Sequence, residues 1–191
     1  MAEPAAHRIT VAEFLPLIAN QERLELVDGE VVPKAAPMVG HGSVQAKLME
    51  LLGPFHRRPG PKGPGGWWLM TEVDTLYART EEVFRHDAQG YRRDVHPERP
   101  SGFPCPHSPQ WACEILSKSH ARIDWVKKQR TLHAHEVPHY WVIDPAQELL
   151  TVLRYSPAGY VVALTAGRGD VVSPEPFEGV ELSLDELFGI D

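Results

Sequence analysis

The feature that most constrains this fold is a strand–helix–strand succession in the second half of the chain. Residues 111–117, WACEILS, form a short and mostly apolar run. Residues 119–136, SHARIDWVKKQRTLHAHE, repeat apolar positions at helical spacing and are closed by Val137-Pro138. Residues 139–144, HYWVID, return to a strand pattern. Two strands separated by one helix are expected to lie parallel in a sheet, joined by a right-handed crossover. That unit points to an α/β protein and excludes a helical bundle or a β-sandwich.

The flanking sequence extends this plan. Thr10 and Glu13 form a capping box that opens a helix over about 11–19. Residues 23–34, RLELVDGEVVPK, are two alternating runs around Asp28-Gly29, a hairpin with a type I′ turn. A second helix follows over 41–55, with Val44, Leu48, Leu51 and Leu52 on one face. Residues 53–66 are a Pro/Gly-rich loop. Strands are expected within 67–77, 81–89, 111–117, 139–144, 148–155 and 160–166, and Ser183 and Glu186 cap a last short helix. The order is helix, hairpin, helix, three strands, helix, three strands, helix. We read one domain over 1–191, an α/β core with a mixed β-sheet flanked by helices.

Composition narrows the function classes. No apolar run approaches the roughly 20 residues of a membrane span, and the first residues lack the basic and apolar regions of a signal peptide. Two cysteines, Cys105 and Cys113, make no disulfide framework and suit a reducing cytoplasm. The net charge of −7 is uneven: residues 1–134 sum to +1 and residues 135–191 to −8. Within the first part, 118–130 holds five bases and one acid. A phosphate-bearing ligand can be attracted there while the acidic C-terminal part keeps the chain soluble.

The chemistry centres on two carboxylates in strand-like runs, Asp87 in VFRHDAQ and Glu114 in WACEILS. Glu114 is flanked by apolar residues, and a buried carboxylate requires a partner or a metal. Two such acids on neighbouring strands make an oxygen site for Mg²⁺ or Mn²⁺, ions that retain waters for substrate and nucleophile. On the following helix, Ala121, Trp125, Lys128 and Leu132 fall in one stripe. Lys128 therefore faces the sheet with Glu114 as a candidate partner, while Lys127 points away.

These stretches resemble the PD-(D/E)XK nuclease superfamily, and more narrowly its Uma-type restriction-endonuclease family. The similar segments are LELVDGEVV, RHDAQGYRRD, WACEILSKSHARIDWVKKQR and VPHYWVIDP, with the C-terminal SLDELF helix. The resemblance implies a restriction-endonuclease-like core and Mg²⁺-dependent phosphodiester cleavage, with nucleic acid, chiefly DNA, as the partner. It implies that Asp87 and Glu114 ligate the metal, that Lys128 is the assisting lysine, and that Glu25 joins the site. His86 stands where the family has proline, Lys118 stands where it has the proline after Ser117, and Leu116 is the second residue after Glu114. The simple ExK triplet is thus absent, and Lys118 competes with Lys128 for the lysine role.

Plainer readings exist for each residue. Asp87 can be a solvated strand-end aspartate, Glu114 half of a structural ion pair, and Glu25 a surface hairpin acid. Lys128 can pair with Asp124 at i,i+4. His133 and His135 lie about 200° apart on a helix and cannot share a zinc ion. No nucleophile elbow for a serine hydrolase is present. The alternative functions are a binding module that keeps the fold without efficient chemistry, and a metal-dependent hydrolase of a small phosphoester. Sequence selectivity would have to come from loops such as 53–66 or from a homodimer, the latter by analogy with nucleases that cut both strands.

Overall fold

The computed structural model describes residues 8–20, 23–34, 36, 38–59, 65–117 and 121–189. Two sheets meet along the chain. The first is antiparallel and contains β1 (Leu24–Val27), β2 (Glu30–Pro33), β4 (Val73–Tyr77) and β5 (Glu82–His86), in the order β2-β1-β5-β4. The second is mixed and contains β3 (Trp67–Met70), β6 (Ala88–Arg92), β7 (Trp111–Ile115), β8 (His139–Asp144), β9 (Leu149–Arg154) and β10 (Val161–Gly167), in the order β10-β9-β8-β7-β6-β3. Its one parallel pair is β7 with β8, as the strand–helix–strand unit requires. A short ribbon of β11 (Val171–Val172) and β12 (Leu182–Ser183) follows.

Helix α1 (Val11–Ile18) starts at Thr10 with both bonds of the capping box formed. It buries Phe14 and Ile18 against Leu26 and Val83 of the first sheet. The β1–β2 hairpin has both Asp28 and Gly29 at positive φ, the backbone a type I′ turn needs. Its turn is tied down from outside: the Asp28 N–H donates to Glu82, and the Asp28 carboxylate pairs with Lys127 at 3.1 Å.

Period-two alternation assigns the two faces of the second sheet. On β7, Trp111, Cys113 and Ile115 enter the core under helices α2 (Val39–Leu52) and α4 (Leu184–Phe188). Ala112 and Glu114 point the other way, toward Leu132, Phe84 and the first sheet. Phe177 seals the first of these cores, with its ring against Phe55, Trp67, Trp111 and Trp141. The crossover helix covers the second. It is not uniform: Ile123–Lys128 form a π-helical turn, continued by α3 (Gln129–Ala134). The wider turn buries both Asp124 and Lys128, with Leu132 beyond them.

Several expectations need correction. Five strands, not three, lie between α2 and the crossover helix, because each long strand-like run is broken once. Residues 67–77 break at Glu72, which takes φ 56°. Residues 81–89 break at Asp87, so Asp87 is not inside a strand. It is the single residue at which the chain leaves the first sheet as β5 and enters the second as β6. Residues 53–66 are not all loop, since Gly53–His56 complete a 3₁₀ turn after α2. The β11–β12 ribbon carried too few residues to register as a pattern. Residues 60–64 and Lys118 lie outside the described residues.

Candidate functional site

Three corners of the fold converge on one cleft of about 280 Å³. The hairpin contributes Glu25 and Lys34, the passage between sheets contributes Asp87, and β7 with the crossover helix contributes Glu114, Asp124 and Lys128. Met38, Leu116 and Pro145 form apolar parts of its walls. Glu25, Asp87, Glu114 and Lys128 are all almost fully buried, so none is a solvated surface charge.

Asp87 sits beside Glu114 because Ala88 pairs with Cys113 across β6 and β7, one residue along from both acids. Asp87 Oδ2 accepts the Ile115 N–H at 2.7 Å and lies 3.1 Å from His41 Nε2. Its Oδ1, also buried, accepts no well-aligned hydrogen bond among the described residues; the Lys34 ammonium stands 2.8 Å away as an ion pair. Glu114 repeats the pattern. Its Oε1 takes His86 Nδ1 at 2.6 Å and Lys128 Nζ at 3.0 Å, while its Oε2 faces Lys34 Nζ at 3.7 Å. Each carboxylate thus has one oxygen held by protein donors, and the two remaining oxygens face one cation.

Lys128 is shared by three acids, with Glu25 at 2.9 Å, Glu114 at 3.0 Å and Asp124 at 3.1 Å. Both partners foreseen for Lys128, Glu114 and Asp124, are therefore engaged at once. Glu25 joins the cluster through Lys128 and accepts the Arg85 N–H at 2.8 Å. Arg85 is itself clamped by Asp74 through two bonds of 2.6 and 2.8 Å, and its carbonyl receives the Lys34 ammonium.

Electrostatics follow from this crowding. Burial opposes the charge on Glu114, but Lys128 and Lys34 outweigh it and bring the carboxyl down to about 2. Burial likewise opposes Asp87, and Lys34 with His41 holds it well below the usual carboxylate range. Asp124 goes the other way. Burial lifts it to about 7, with Glu114 and Glu25 adding to the rise and Lys128 offsetting only part of it. Burial would discharge Lys34 and Lys128, yet the surrounding carboxylates raise both above the ordinary lysine range.

Sequence reasoning named Asp87, Glu114, Lys128 and Glu25, and the structure brings all four together. It missed Lys34, His41 and the role of His86. Hairpin register held a signal for Lys34: Glu25 pairs with Val32, so Lys34, two residues on, shares the face of Glu25. His41 and Gln45 are spaced i,i+4 on α2 and both reach Asp87, one at its side chain and one at its carbonyl. The histidines weighed for zinc have separate surroundings, with His133 on the Ser156 carbonyl and His135 beside Thr80.

The sequence profile of the Uma2 family, described as "Putative restriction endonuclease", matches residues 11–185. The chain belongs to the Uma2 family. Among solved structures, it is similar to one from Anabaena variabilis described as "a putative nuclease belonging to DUF820". The TM-score is 0.73 at 20% identity, over 95% of this chain and 98% of that one. At that identity the likeness speaks for the fold alone, which is restriction-endonuclease-like. No curated protein matches the chain at a significant level.

The cleft can be tested for the divalent ion expected of such a family. Among the described residues no group of three or more His, Cys, Asp or Glu side chains is arranged to hold a metal. The acidic centre offers two carboxylate oxygens, Asp87 Oδ1 and Glu114 Oε2, and Lys34 stands between them as a cation. That donor set is hard, anionic and incomplete. It fits Mg²⁺ or Mn²⁺, which take one or two carboxylates and keep several waters, and it does not fit a closed zinc site. Among the described residues no helix is long and apolar enough to cross a membrane.

Proposed function

We propose that this Uma2 protein hydrolyses phosphodiester bonds in nucleic acid, with DNA as the substrate and Mg²⁺ or Mn²⁺ as the cofactor. The observation that carries the reading is the convergence of one carboxylate oxygen from Asp87 and one from Glu114 on a single cation, Lys34, in an open cleft. Asp87 and Glu114 would hold the ion. Such an ion supplies water activation and neutralises charge on the phosphoryl oxygens.

The chain's own groups set up that chemistry. Ile115 N–H and His41 fix the rotation of the Asp87 carboxylate. His86 and Lys128 do the same for Glu114. With three acids around its ammonium, Lys128 acts as a positioning residue that balances charge, and Glu25 holds Lys128 in place. Arg122 and Arg130 on the crossover helix are exposed, so positive charge on that helix is available to a phosphate backbone.

A plasmid-nicking assay with Mg²⁺ or Mn²⁺ tests the proposal on wild type, Asp87→Ala, Glu114→Ala and Lys128→Ala. Each carboxylate variant should lose at least about 100-fold in rate. Nicking that survives loss of both carboxylates contradicts the mechanism. A second reading, a binding module without efficient chemistry, is favoured by one observation: Lys34 already fills the place between the two acids. Wild type that binds DNA and nicks none under any divalent ion supports that reading.

A further inference from the structure

Lys34 and Lys128 touch the same acidic cluster but are built differently. Lys128 comes from a helix, is fully buried, and has three carboxylates within 3.1 Å. Lys34 is the first residue after β2, an edge strand of the first sheet. Its backbone is held by one bond to the Arg23 carbonyl, and its side chain lines the open cleft. It has one carboxylate oxygen at 2.8 Å, a second at 3.7 Å, and the Arg85 carbonyl. Three oxygens, two of them anionic, are the kind of surroundings a hard divalent ion takes. Among the described residues, Glu25 and Asp124 make their close ion pairs with Lys128.

We infer that Lys34 is a built-in competitor for the divalent ion, its ammonium holding the cation position between Asp87 and Glu114 until metal displaces it. The inference rests on the metal-site reading above. A divalent ion and an ammonium cannot share that position, because two cations in contact at low dielectric repel strongly. The four-carbon stem lets the ammonium swing to the cleft mouth while the strand stays paired. Until then the lysine neutralises two buried acids that would otherwise repel each other. Apparent metal affinity is the intrinsic affinity reduced by the fraction of molecules in which Lys34 has left. Lys34 thus sets the metal concentration at which the site fills.

The test is Mn²⁺ binding to the full chain by equilibrium dialysis, with no substrate and no activity readout. Wild type is compared with Lys34→Met, Lys34→Gln, Lys34→Arg and Asp87→Asn, each checked for folding by circular dichroism. Lys34→Met and Lys34→Gln should bind Mn²⁺ at least about tenfold more tightly than wild type. Both should melt lower without metal and gain more from Mn²⁺. Lys34→Arg, which keeps the charge, should bind no more tightly than wild type. Equal or weaker binding by Lys34→Met and Lys34→Gln, with wild-type binding lost in Asp87→Asn, overturns the inference and leaves the metal site standing. Absence of Mn²⁺ binding in every variant overturns both.

Discussion

His86 Nδ1 lies 2.6 Å from Glu114 Oε1, and the far side of the same ring meets the Tyr77 hydroxyl at 2.6 Å through Nε2. A neutral imidazole satisfies the whole relay: Tyr77 O–H donates to Nε2, and Nδ1–H donates to the carboxylate. The ring is fully buried. His86→Ala takes the partner from the buried Tyr77 hydroxyl and leaves Glu114 Oε1 to Lys128, and should cost about 3 kcal/mol in denaturant unfolding. It should also weaken Mn²⁺ binding by freeing the Glu114 rotamer. A loss below about 0.5 kcal/mol would mean the relay is dispensable.

Asp74 and Arg85 form a buried two-bond clamp, at 2.6 and 2.8 Å, and the backbone of Arg85 anchors both Glu25 and Lys34. Asp74→Ala leaves a guanidinium uncompensated in the sheet. Unfolding stability should fall by about 3 kcal/mol, and nicking should fall with it although Asp74 does not line the cleft. Asp74→Asn, which keeps one acceptor, should recover part of both.

The acid Asp124, raised to about 7 from a reference of 3.8, sets a pH dependence. Its folded state binds the proton more tightly than its unfolded state. Its contribution to stability is therefore complete below about pH 4 and is lost as pH rises through 7. Wild type should lose stability relative to Asp124→Asn between pH 4 and pH 8. Parallel stability curves for the two proteins over that window would contradict the assignment.

In the second sheet, a Cβ added at Gly90 would meet Leu69 and Trp67 at 3.1 Å and Trp111 at 3.2 Å. Those rings cannot retreat, since Phe177 stands 5.0 Å from both Trp67 and Trp111. Gly90→Ala should destabilise by about 1–3 kcal/mol in denaturant unfolding, with Mn²⁺ affinity unchanged.

Local rules made much of this molecule legible. The Thr10 capping box and the Asp28-Gly29 turn depend on neighbours within a few residues and formed as read, and the parallel pairing of β7 with β8 followed from the strand–helix–strand order. Glu114 stood out as a charge inside an apolar strand, and Lys128 as a charge on an apolar stripe. The break at Asp87 was hidden because no glycine or proline marks it within 82–89, and the change of sheet depends on which faces distant segments cover. Lys34 and His41 were hidden for a related reason. Their partner Asp87 lies about 50 residues away, and no local pattern marks a lysine as the counter-ion of a remote acid. The π-helical turn was hidden too, since a regular helix accounts equally well for the same apolar spacing.

A crystal soaked in Mn²⁺ and measured at the manganese absorption edge tests the central claim most directly. One anomalous peak should lie within coordination distance, about 2.1 Å, of both Asp87 Oδ1 and Glu114 Oε2, with the Lys34 ammonium moved away. A Mn²⁺ peak bound elsewhere in the molecule, with Lys34 still seated between the two carboxylates, would contradict it.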